Sequence, residues 1–591
     1  MKTRAARFLS CLLLALVGCA EPDAGVDGAV APADGGIGDD ARPPRPSDAG
    51  RRPRAPGDGH MPPDLGYVDT ASPEWERFYA YVADQLEDGA PYPNSLGADD
   101  AAYVYRVTGE ARFCELAVAL TEEEVAEAEA AVARGERPRV ARDSYLHVGR
   151  EISALALAYD WCADFVTDAQ RARWAAHAEQ AIWNLWNHRD AEWGGVAHRW
   201  SGWSVENPGN NYHYSFLQAT LYWALASHSD AWMELLRTEK LPPLIAYYRT
   251  LPGGGSREGT GYGLAQQRLF HIYRVWWDAT GEDLAAESTH AADSLDYWIH
   301  ATTPGFEYTA PIGDQARVSM PRLYDYHRAM LLEGSAVAPG TPQARRAAWW
   351  LRRIPIQGMS SRFNYIDNLL PVGEEEAPTA LAYHAEGTGH LFMRSSWDDD
   401  ATWLSFVAGP YDEAHAHDDQ GAFNLFRRGW LAVTANVHSR TGIEQDLEYQ
   451  NLVRFTRAGE TIPQTYRTTS RMTVSGASVT ADLAAAYGDS PDVTAWTRDI
   501  ELAAERVDVV DRFTVAGGVE AVWQLHVPVE PRVMPDGTLV AGDLHIEPLS
   551  PADPAISIEA WSALDEQVSD GWRVELRGGA SEYRVRLRVL P

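Results

Sequence analysis

The chain has 591 residues and a formal net charge of -33, from 84 acidic and 51 basic side chains, and 45% of its residues are hydrophobic. A chain of this length and apolar content can bury at least two sizeable cores. The acidic excess repels phosphate and sulfate at long range, which excludes a general nucleic-acid-binding or polyanion-coating surface. A local basic site for an acidic ligand remains compatible with this charge, because salt screens the field within about 10 Å.

Residues 1–19 form a predicted export signal. They combine a basic start, an apolar core and a small residue before Cys19, and the apolar run is short for a membrane span. The ending Leu16-Val17-Gly18-Cys19 resembles the lipobox of bacterial lipoproteins. That resemblance implies lipidation of Cys19 and an exported lipoprotein in the outer membrane or on the cell surface. An ordinary cleaved signal with an incidental cysteine is the alternative.

Residues 20–65 are rich in Asp, Ala, Gly, Pro and Arg and almost lack large apolar side chains. Such a segment buries too little apolar surface to offset the conformational entropy that ordering costs. We therefore predict a disordered tether that holds the rest of the chain away from the membrane.

Cys114 and Cys162 are the two cysteines of the predicted folded part. In an exported protein they can pair as a disulfide or remain two separate buried thiols. The sequence leaves both alternatives open.

Helical patterns fill residues 66–372. Ser72 is a predicted N-cap with Pro73 in the first helical position, and Thr167 is a predicted N-cap further along. Apolar residues recur on one helical stripe after each cap, and similar patterns occupy the segments 151–162, 216–226, 266–277 and 345–354. We predict a helix-rich domain, for which periodicity alone permits a bundle or a toroid of hairpins.

The pattern changes after the acidic segment at 373–378. Short runs of alternating apolar residues follow, separated by Gly, Asp and Pro, and they occupy 390–397, 401–409, 421–429, 430–436, 507–515, 520–527, 572–579 and 583–590. Such runs are typical of antiparallel strands, so we predict a β-sandwich domain over 373–591.

The first candidate site is the His-Ala-His-Asp-Asp segment at 415–419. On an extended strand His415 and His417 point the same way, so they could bind a metal or contact a substrate carboxylate. Asp418 and Asp419 could add ligands or orient the imidazoles. The alternative is a hydrogen-bonded rim at the end of a strand.

The second candidate site follows three glycines at 253–255, where Arg257, Glu258 and Tyr262 stand just as a helix begins. A tyrosine there can give or take a proton, but its reference pKa is about 10. A neighbouring arginine or protonated histidine would favour the phenolate. The alternative is an aromatic anchor that packs the loop onto the helix.

Two further segments carry polar side chains. Asn210, Asn211 and His213 stand at the start of an apolar helix, which either asparagine could cap. They could instead direct an amide and an imidazole at an anionic sugar, which a helix start also favours. Asp314 and Arg317 lie in a loop between helices, where a structural turn is the simpler interpretation.

The order of these elements resembles that of the heparinase II/III-like polysaccharide lyases. Residues 258–263 match the Glu-Gly-x-x-Tyr element that carries the family's catalytic tyrosine, and 415–419 look like its His-x-His-x-Asp strand. The resemblance covers about 140–530. It implies an α/α toroid over 66–372 followed by the β-sandwich, with an acidic polysaccharide in the cleft between them.

Lyases of this family cleave uronic-acid polymers by β-elimination. The resemblance implies that Asn211 and His415 face the substrate carboxylate and that Tyr262 is the acid, with Tyr262 or His213 as the base. The remaining polar residues of these segments are candidates for substrate binding, namely Arg257, Glu258, Asn210, Asp314 and Arg317. The sequence does not distinguish a glycosaminoglycan from alginate or another uronan.

Several relatives hold a structural zinc ion with the second histidine, an Asp on the next strand and a later His. Here His417 supplies the first ligand, but 430–435 contains no Asp, and Gln450 and Asn451 stand where relatives often have His-Asn. His438 could substitute from a shifted position. We expect no required cofactor, with zinc at His417 as the open alternative.

Two other functions fit the same residues. A glycoside hydrolase needs two carboxylates about 5–9 Å apart, for which Glu258 with Asp418 or Asp419 is the available pair. A non-catalytic glycan-binding surface lipoprotein could retain the cleft and its aromatic walls. The chain has 22 tryptophans, but most lie on helical stripes and are predicted to be core residues.

Overall fold

The computed structural model of the chain describes residues 61–87, 96–315, 321–354 and 364–590. The predicted signal with Cys19, residues 20–60 of the predicted tether, and Arg317 lie outside these ranges. Across the described ranges, no helix is both long enough and apolar enough to span a membrane.

Helices occupy most of the chain up to residue 367. They are α1 Pro73–Glu87, α2 Ala98–Thr108, α3 Ala111–Ala133, α4 Val148–Trp161, α5 Asp168–Trp186, α6 Asn211–Ala226, α7 Asp230–Leu235, α8 Leu241–Tyr248, α9 Gly259–Tyr262, α10 Gln266–Thr280, α11 His290–Ala301, α12 Asp325–Val337, α13 Pro342–Leu351 and α14 Asn364–Asp367, with a late helix α15 at Trp561–Leu564.

The predicted helix starts are confirmed. The Ser72 hydroxyl accepts from the backbone N–H of Trp75 at 3.2 Å, and Thr167 accepts from that of Gln170 at 3.3 Å. These contacts satisfy backbone donors that the first turn of a helix leaves without partners. In α5 the predicted apolar stripe is buried, as at Trp174.

The helices pack in a regular order. Five helices form a row in which each contacts the next, in the order α2, α4, α6, α10 and α12. A second set contacts this row, with α3 and α5 against α4, and α11 and α13 against α12. The alternation brings the starts of α4, α6 and α10 to neighbouring positions.

Two links tie the beginning of the described chain to these helices. Met61 is buried, its N–H donates to Asp160 at 2.8 Å, and its carbonyl accepts from the Trp161 indole at 2.9 Å. Residues 61–65 of the predicted tether therefore belong to the folded part. Cys114 in α3 and Cys162 just after α4 form a disulfide with a Cα–Cα separation of 5.4 Å.

Antiparallel strands dominate the chain after residue 381, as predicted. The strands are β1 Glu192–Trp193, β2 Val196–Ala197, β3 Ala382–Ala385, β4 His390–Arg394, β5 Trp403–Val407, β6 Pro410–Tyr411, β7 Phe423–Phe426, β8 Trp430–Ala432, β9 Val453–Arg457, β10 Glu460–Thr461, β11 Thr468–Thr469, β12 Arg471–Ser475, β13 Ser478–Asp482, β14 Val493–Ala503, β15 Arg506–Val515, β16 Val519–Val527, β17 Arg532–Val533, β18 Leu539–Ala541, β19 Leu544–Ser550, β20 Ala555–Ala560, β21 Trp572–Arg577 and β22 Glu582–Val589.

The strands form three main sheets with the orders β3-β4-β5-β7-β8, β10-β9-β16-β21-β20 and β12-β13-β14-β15-β22-β19-β18-β17. The first sheet joins the two halves of the chain. Its Phe392 and Trp403 share a core with the helices, whereas Leu404 and Leu425 share a core with the other sheets. Alternate residues of a strand face opposite sides, so one sheet can serve both cores. The loop between β6 and β7 thereby lies beside the helical half.

Candidate active site

The carboxylate of Asp314 holds both histidines of the 415–419 segment. Oδ2 lies 2.9 Å from Nδ1 of His415, and Oδ1 lies 2.9 Å from Nε2 of His417. Burial by itself would raise the pKa of Asp314, but the hydrogen bonds from both histidines outweigh it and lower that pKa to about 2. The ionised carboxylate can only accept, so His415 donates from Nδ1 and its Nε2 remains for another contact.

This segment is a loop and not the predicted strand. Residues 412–420, which follow β6, form turns and bends and no strand. His415 and His417 nevertheless share a direction, because each binds a different oxygen of Asp314. Asp314 does more than form the structural turn considered from the sequence. Because the two histidines use both of its oxygens, it positions them and does not take the predicted role in substrate binding.

Small residues let three distant segments meet around this carboxylate. A Cβ atom at Gly259 would lie 2.1 Å from the carbonyl oxygen of Ile312, and one at Gly261 would lie 2.1 Å from that of Asp314. Gly259 also has a φ of +84°, which favours glycine. The N–H of Asp314 in turn donates to the carbonyl of His415 at 2.9 Å. Segments 258–262, 312–315 and 413–417 therefore form one unit.

Tyr262 and His415 are stacked within this unit. Their ring centroids are 3.7 Å apart and their planes differ by 6°. Both side chains are largely buried, with 7% and 8% of their surfaces exposed. The structure thus brings together the two residues to which the sequence resemblance assigned proton transfer and carboxylate binding.

Glu258 lies beneath this pair and has no exposed surface. Its Oε1 accepts from the Asn210 amide at 2.9 Å and lies 3.8 Å from Nε2 of His415. Burial raises the pKa of Glu258 well above its usual range, and the nearby carboxylates of Glu413 and Asp314 raise it further. A side chain without exposed surface cannot contact a polysaccharide, so Glu258 supports its neighbours instead of binding substrate as predicted.

Asn210 caps α6, which confirms one of the two interpretations that the sequence allowed. Its Oδ1 accepts from the N–H of Tyr212 at 3.1 Å and from the Ser204 hydroxyl at 2.7 Å. Its amide is used by Glu258, and the residue is fully buried, so substrate binding by Asn210 is not supported. Asn211 is the first residue of α6, and its side chain is not bound in the way that the Asn210 side chain is. Its buried Oδ1 has no hydrogen-bond partner among the described residues.

His213 points away from this group. Its Nδ1 contacts the carbonyl of Ser204 at 3.1 Å, and its ring packs edge-on against Trp186 at 6.3 Å. Burial lowers the pKa of His213 to about 4. Residues two positions apart on a helix do not face the same side, so Asn211 and His213 cannot both face one substrate. The geometry contradicts the prediction of His213 as a base, and the residue supports the Ser204 turn.

Arg257 also has a different neighbour from the one expected. Its guanidinium donates to Asp412 at 2.8 Å and to the carbonyl of Gly387 at 3.0 Å. These contacts join the loop before α9 to the strand-rich half of the chain. Arg257 therefore links the loop before α9 to the segments that contain Gly387 and Asp412. The expected contact with Tyr262 or with substrate is not supported.

The donor set around His417 does not fit a zinc ion. Nε2 of His417 is held by Asp314, and the Gln450 amide lies 3.2 Å from its Nδ1. His438, the shifted substitute, lies against Gly571 instead. Within the described ranges, the one group of three acidic or imidazole side chains with metal-ligand spacing is His271, Glu333 and Asp367 in the helical core. Its His271 is already bound by Tyr222 at 2.6 Å and by Glu333 at 2.9 Å.

Sequence reasoning missed two glutamines that complete the site. Gln445 donates to Oδ1 of Asp314 at 3.2 Å, and Gln450 contacts His417. The signal for Gln450 was present, since it stands where a zinc ligand was expected. The Gln450 amide, 3.2 Å from Nδ1 of His417, helps to hold this imidazole in one orientation.

Comparison with known proteins supports the fold. No family model matches the chain. Heparin-sulfate lyase from Pedobacter heparinus is 34% identical over 88 residues, which is 15% of this chain and only 13% of the relative.

Three solved structures resemble the chain over most of its length. Heparinase III matches with a TM-score of 0.59 and 11% identity, covering 90% of this chain and 87% of the other. Heparan sulfate lyase from Pedobacter heparinus matches with a TM-score of 0.52 and 15% identity, covering 88% of this chain and 84% of the other. Chondroitin AC lyase from Streptomyces coelicolor A3, in complex with chondroitin sulphate, matches with a TM-score of 0.51 and 12% identity. The match covers 88% of this chain and 80% of the other. The resemblance expected from the sequence is confirmed for the fold.

Proposed function

We propose that this protein is a carbon–oxygen lyase that cleaves a uronic-acid-containing polysaccharide by β-elimination. The observation that carries the proposal is the stack of Tyr262 on His415, with His415 held by Asp314. A fold in common with polysaccharide lyases adds support. The helical row with its second layer supports an α/α toroid, and the sheets that share a core support a β-sandwich, with the substrate between them.

The reaction requires three tasks at one sugar. The carboxylate beside C5 must be neutralised so that the C5 proton becomes more acidic, a base must remove that proton, and the departing O4 must be protonated. Electrons from the C5–H bond form the C4=C5 double bond, and the C4–O4 bond breaks with its pair on the oxygen. The products are a 4,5-unsaturated uronate at the new non-reducing end of one fragment and a new reducing-end hydroxyl on the other fragment.

We assign carboxylate binding to Asn211 and His415. The side chain of Asn211 can donate from Nδ2 to a carboxylate, whereas its Oδ1, which has no partner among the described residues, can accept from a sugar hydroxyl. His415 donates from Nδ1 to Asp314, so Nε2 is the nitrogen left for the substrate carboxylate, to which it donates as the second N–H of an imidazolium. Asp314 fixes the ring orientation in the way that a carboxylate orients a catalytic imidazole.

We assign proton transfer to Tyr262. As a phenolate it takes the C5 proton, and as a phenol it returns a proton to O4, so one residue completes both steps. His213 is unsuited to the role of base because its ring lies in the packing between α5 and α6. Glu258 keeps Asn210 and the 258–262 segment in place.

A hydrolase is disfavoured by burial. Its acid and base must both touch the region of the glycosidic bond. Both candidate carboxylate pairs include Glu258, which has no exposed surface. Because each pair needs this side chain at the glycosidic bond, its burial argues against the hydrolase. A sulfated or unsulfated glycosaminoglycan is the proposed substrate class, and the lipobox-like residues 16–19 support attachment of the enzyme to a membrane surface.

The test is to incubate the protein with a panel of uronic-acid polysaccharides and record the ultraviolet absorbance of the conjugated unsaturated uronate. Elimination alone creates this chromophore, so a rise establishes the lyase and identifies its polymer. New reducing ends without absorbance would assign a hydrolase. Binding without either signal would leave a glycan-binding protein.

A further inference from the structure

A group of cationic side chains lies where α4 and α10 begin, and the proposed elimination does not use it. His147 precedes α4, Arg150 lies in the first turn of α4, and Arg268 lies in the first turn of α10. Helix α6 packs against both of these helices. We call His147, Arg150 and Arg268 the basic cluster.

The basic cluster borders the proposed carboxylate site. Asn211 opens α6, and the next residue, Tyr212, donates its hydroxyl to Asp143 at 3.2 Å in the turn before α4. One turn later, the Ser215 hydroxyl donates to the carbonyl of Leu146 at 2.6 Å. Arg268 follows Tyr262 by six residues of nearly continuous helical backbone, a rise of about 9 Å. The cluster is therefore within reach of a sugar next to the one at Tyr262.

The turn that presents the cluster is strained. Asp143, Ser144 and Tyr145 have φ values of +46°, +48° and +64°, in the left-handed region that such residues rarely adopt. Strain of this kind costs roughly 1–3 kcal/mol per residue and gathers at ligand sites. Tyr145 fixes the turn because its side chain is buried and its hydroxyl accepts from the Trp193 indole at 3.3 Å.

The charge of Arg268 lacks a counterion among the described residues. Arg268 is half-buried, and no described carboxylate forms an ion pair with it. Burial and the neighbouring Arg150 lower the pKa of Arg268 to about 10. Burial, Arg268 and Arg150 also lower the pKa of His147, and Asp143, already bound by Tyr212, opposes them only in part. A half-buried cation without a counterion is costly, and an anionic ligand would remove that cost.

The excess of acidic residues in the whole chain makes an arginine without a carboxylate partner less expected. The protein carries 84 acidic against 51 basic residues, so carboxylates are abundant as partners. Other arginines find them, as Arg346 does with Asp296 at 2.6 Å and Arg274 with Glu333 at 2.6 Å. Arginines without an ion pair can donate to backbone carbonyls instead, as Arg394 does to His300 at 3.0 Å, whereas no such contact of Arg268 is formed with the described residues.

We propose that the basic cluster is a subsite for an anionic group, sulfate or carboxylate, on a sugar that flanks the cleaved bond. Guanidinium groups bind both oxyanions through paired N–H donors, which suits Arg150 and Arg268. The proposal rests on the proposed function and adds the substrate class, a polymer with an acidic group on consecutive sugars.

The test compares Arg268→Gln with the charge-conserving Arg268→Lys and with Arg134→Gln, an exposed arginine paired with Glu136. Binding of sulfated and unsulfated uronic-acid oligosaccharides is measured by calorimetry on the full chain carrying Tyr262→Phe, so that nothing is cleaved. Loss of a charged hydrogen bond predicts about ten-fold weaker binding or more for Arg268→Gln. Arg268→Lys should lose less, and Arg134→Gln should match the parent.

Comparison of sulfated with unsulfated oligosaccharides shows whether the cluster binds a sulfate or a carboxylate group. A loss confined to the sulfated ligand identifies sulfate, and an equal loss for both identifies carboxylate. Unchanged binding by a folded Arg268→Gln protein overturns the subsite.

A second readout does not depend on any polysaccharide. Thermal unfolding is compared in sodium sulfate and sodium chloride of equal ionic strength, for the parent and for Arg268→Gln. General stabilisation by sulfate is common to both proteins, so the difference between them reports the cluster. A larger sulfate effect in the parent supports the subsite even if no uronic-acid polymer binds, in which case the proposed function alone fails. Equal effects, together with unchanged binding, overturn the subsite.

Discussion

The ring of Tyr262 lies flat on that of His415, with 3.7 Å between centroids and 6° between planes. The two residues come from opposite halves of the chain, one from the helical half and one from the loop between β6 and β7. The contact therefore exists only when both halves are folded and joined. Because Asp314 holds His415 from the other side, the position of the phenol is fixed by a chain of contacts rather than by its own helix alone.

Replacement of Tyr262 by phenylalanine should abolish elimination while leaving the fold intact. The change removes the only hydroxyl to which we assign proton transfer, and general acid–base catalysis contributes about 10²–10⁴-fold. The rate of unsaturated-uronate formation measures the loss, with Tyr308→Phe as a control at a tyrosine outside the site. A Tyr262→Phe enzyme with the parent rate would remove this residue from the mechanism.

Replacement of Asp314 by asparagine should impair both stability and activity. The folded-state pKa of about 2 lies below the ordinary value of 3.8, so the ionised group stabilises the native state above the unfolded pKa. That contribution, of the order of 2 kcal/mol, is lost as pH falls from about 4 toward 2. Urea unfolding at pH 7 should show the loss in Asp314→Asn, and the acid limb of the stability curve should flatten.

Asp553→Asn, at an exposed position, is the matched control and should retain the parent stability. An Asp314→Asn protein that is as stable as the parent and keeps the same acid limb would contradict the bridging role. Activity adds a second criterion, since His415 without its carboxylate loses the orientation that the proposed reaction needs.

Glu258→Gln should be nearly neutral at pH 7, whereas Glu258→Ala should be strongly destabilising. Burial raises the folded-state pKa of Glu258, so the native state keeps a proton that the unfolded state releases above about 4.3. Stability from this group is therefore full at acid pH and declines as pH rises toward the folded pKa. Glutamine mimics the neutral carboxyl and should remove that decline.

Unfolding free energies at pH 5 and pH 8 measure the effect. The difference between the two pH values should be smaller in Glu258→Gln than in the parent. A Glu258→Gln enzyme that folds normally but has lost all cleavage would instead indicate that the carboxyl itself reacts, as a hydrolase requires.

The sequence predicted the elements well and the side-chain partners poorly. Caps such as Thr167 and the alternating strands are local patterns, so they can be read without the fold. Asp314 could not be assigned in the same way, because its partners lie 101 and 103 residues further along the chain. Only the packing of 258–262 on 312–315 brings them together.

Two errors had a physical cause that was available from the sequence. Asn211 and His213 were given a common target although residues two positions apart on a helix face different directions. Arg257 was paired with Tyr262 because the two are close in sequence, yet a long side chain reaches whichever carboxylate the fold supplies, here Asp412. Nearness along the chain is weak evidence for contact when a helix begins between the residues.

Reduction of the disulfide between Cys114 and Cys162 should destabilise the helical half. The bond closes a loop over a sequence separation of 48 residues, for which chain entropy predicts on the order of 4 kcal/mol. Chemical unfolding with and without a reductant measures the loss, and Cys114→Ser with Cys162→Ser should reproduce it. Equal stability in both states would show that packing of α3 against α4 suffices.

Zinc content offers a direct test of the role assigned to Gln450. In the parent protein, Asp314 and the Gln450 amide occupy the two ring nitrogens of His417, so we expect no stoichiometric zinc after purification and dialysis. Gln450→His would replace the amide by an imidazole and place three donor side chains close together, which is the minimum that zinc sites use. Metal analysis by mass spectrometry should then find zinc in the variant, and zinc should raise its melting temperature.

The matched control is Gln445→His, which alters the other glutamine of the site but contacts Asp314 rather than His417. Zinc in the parent protein at one ion per chain would show that Gln450 yields to a metal and that the hydrogen-bonded arrangement is not the working state. Zinc in Gln450→His but not in the parent would instead establish that a single amide replaces the metal, because it directly holds the same imidazole in the same orientation.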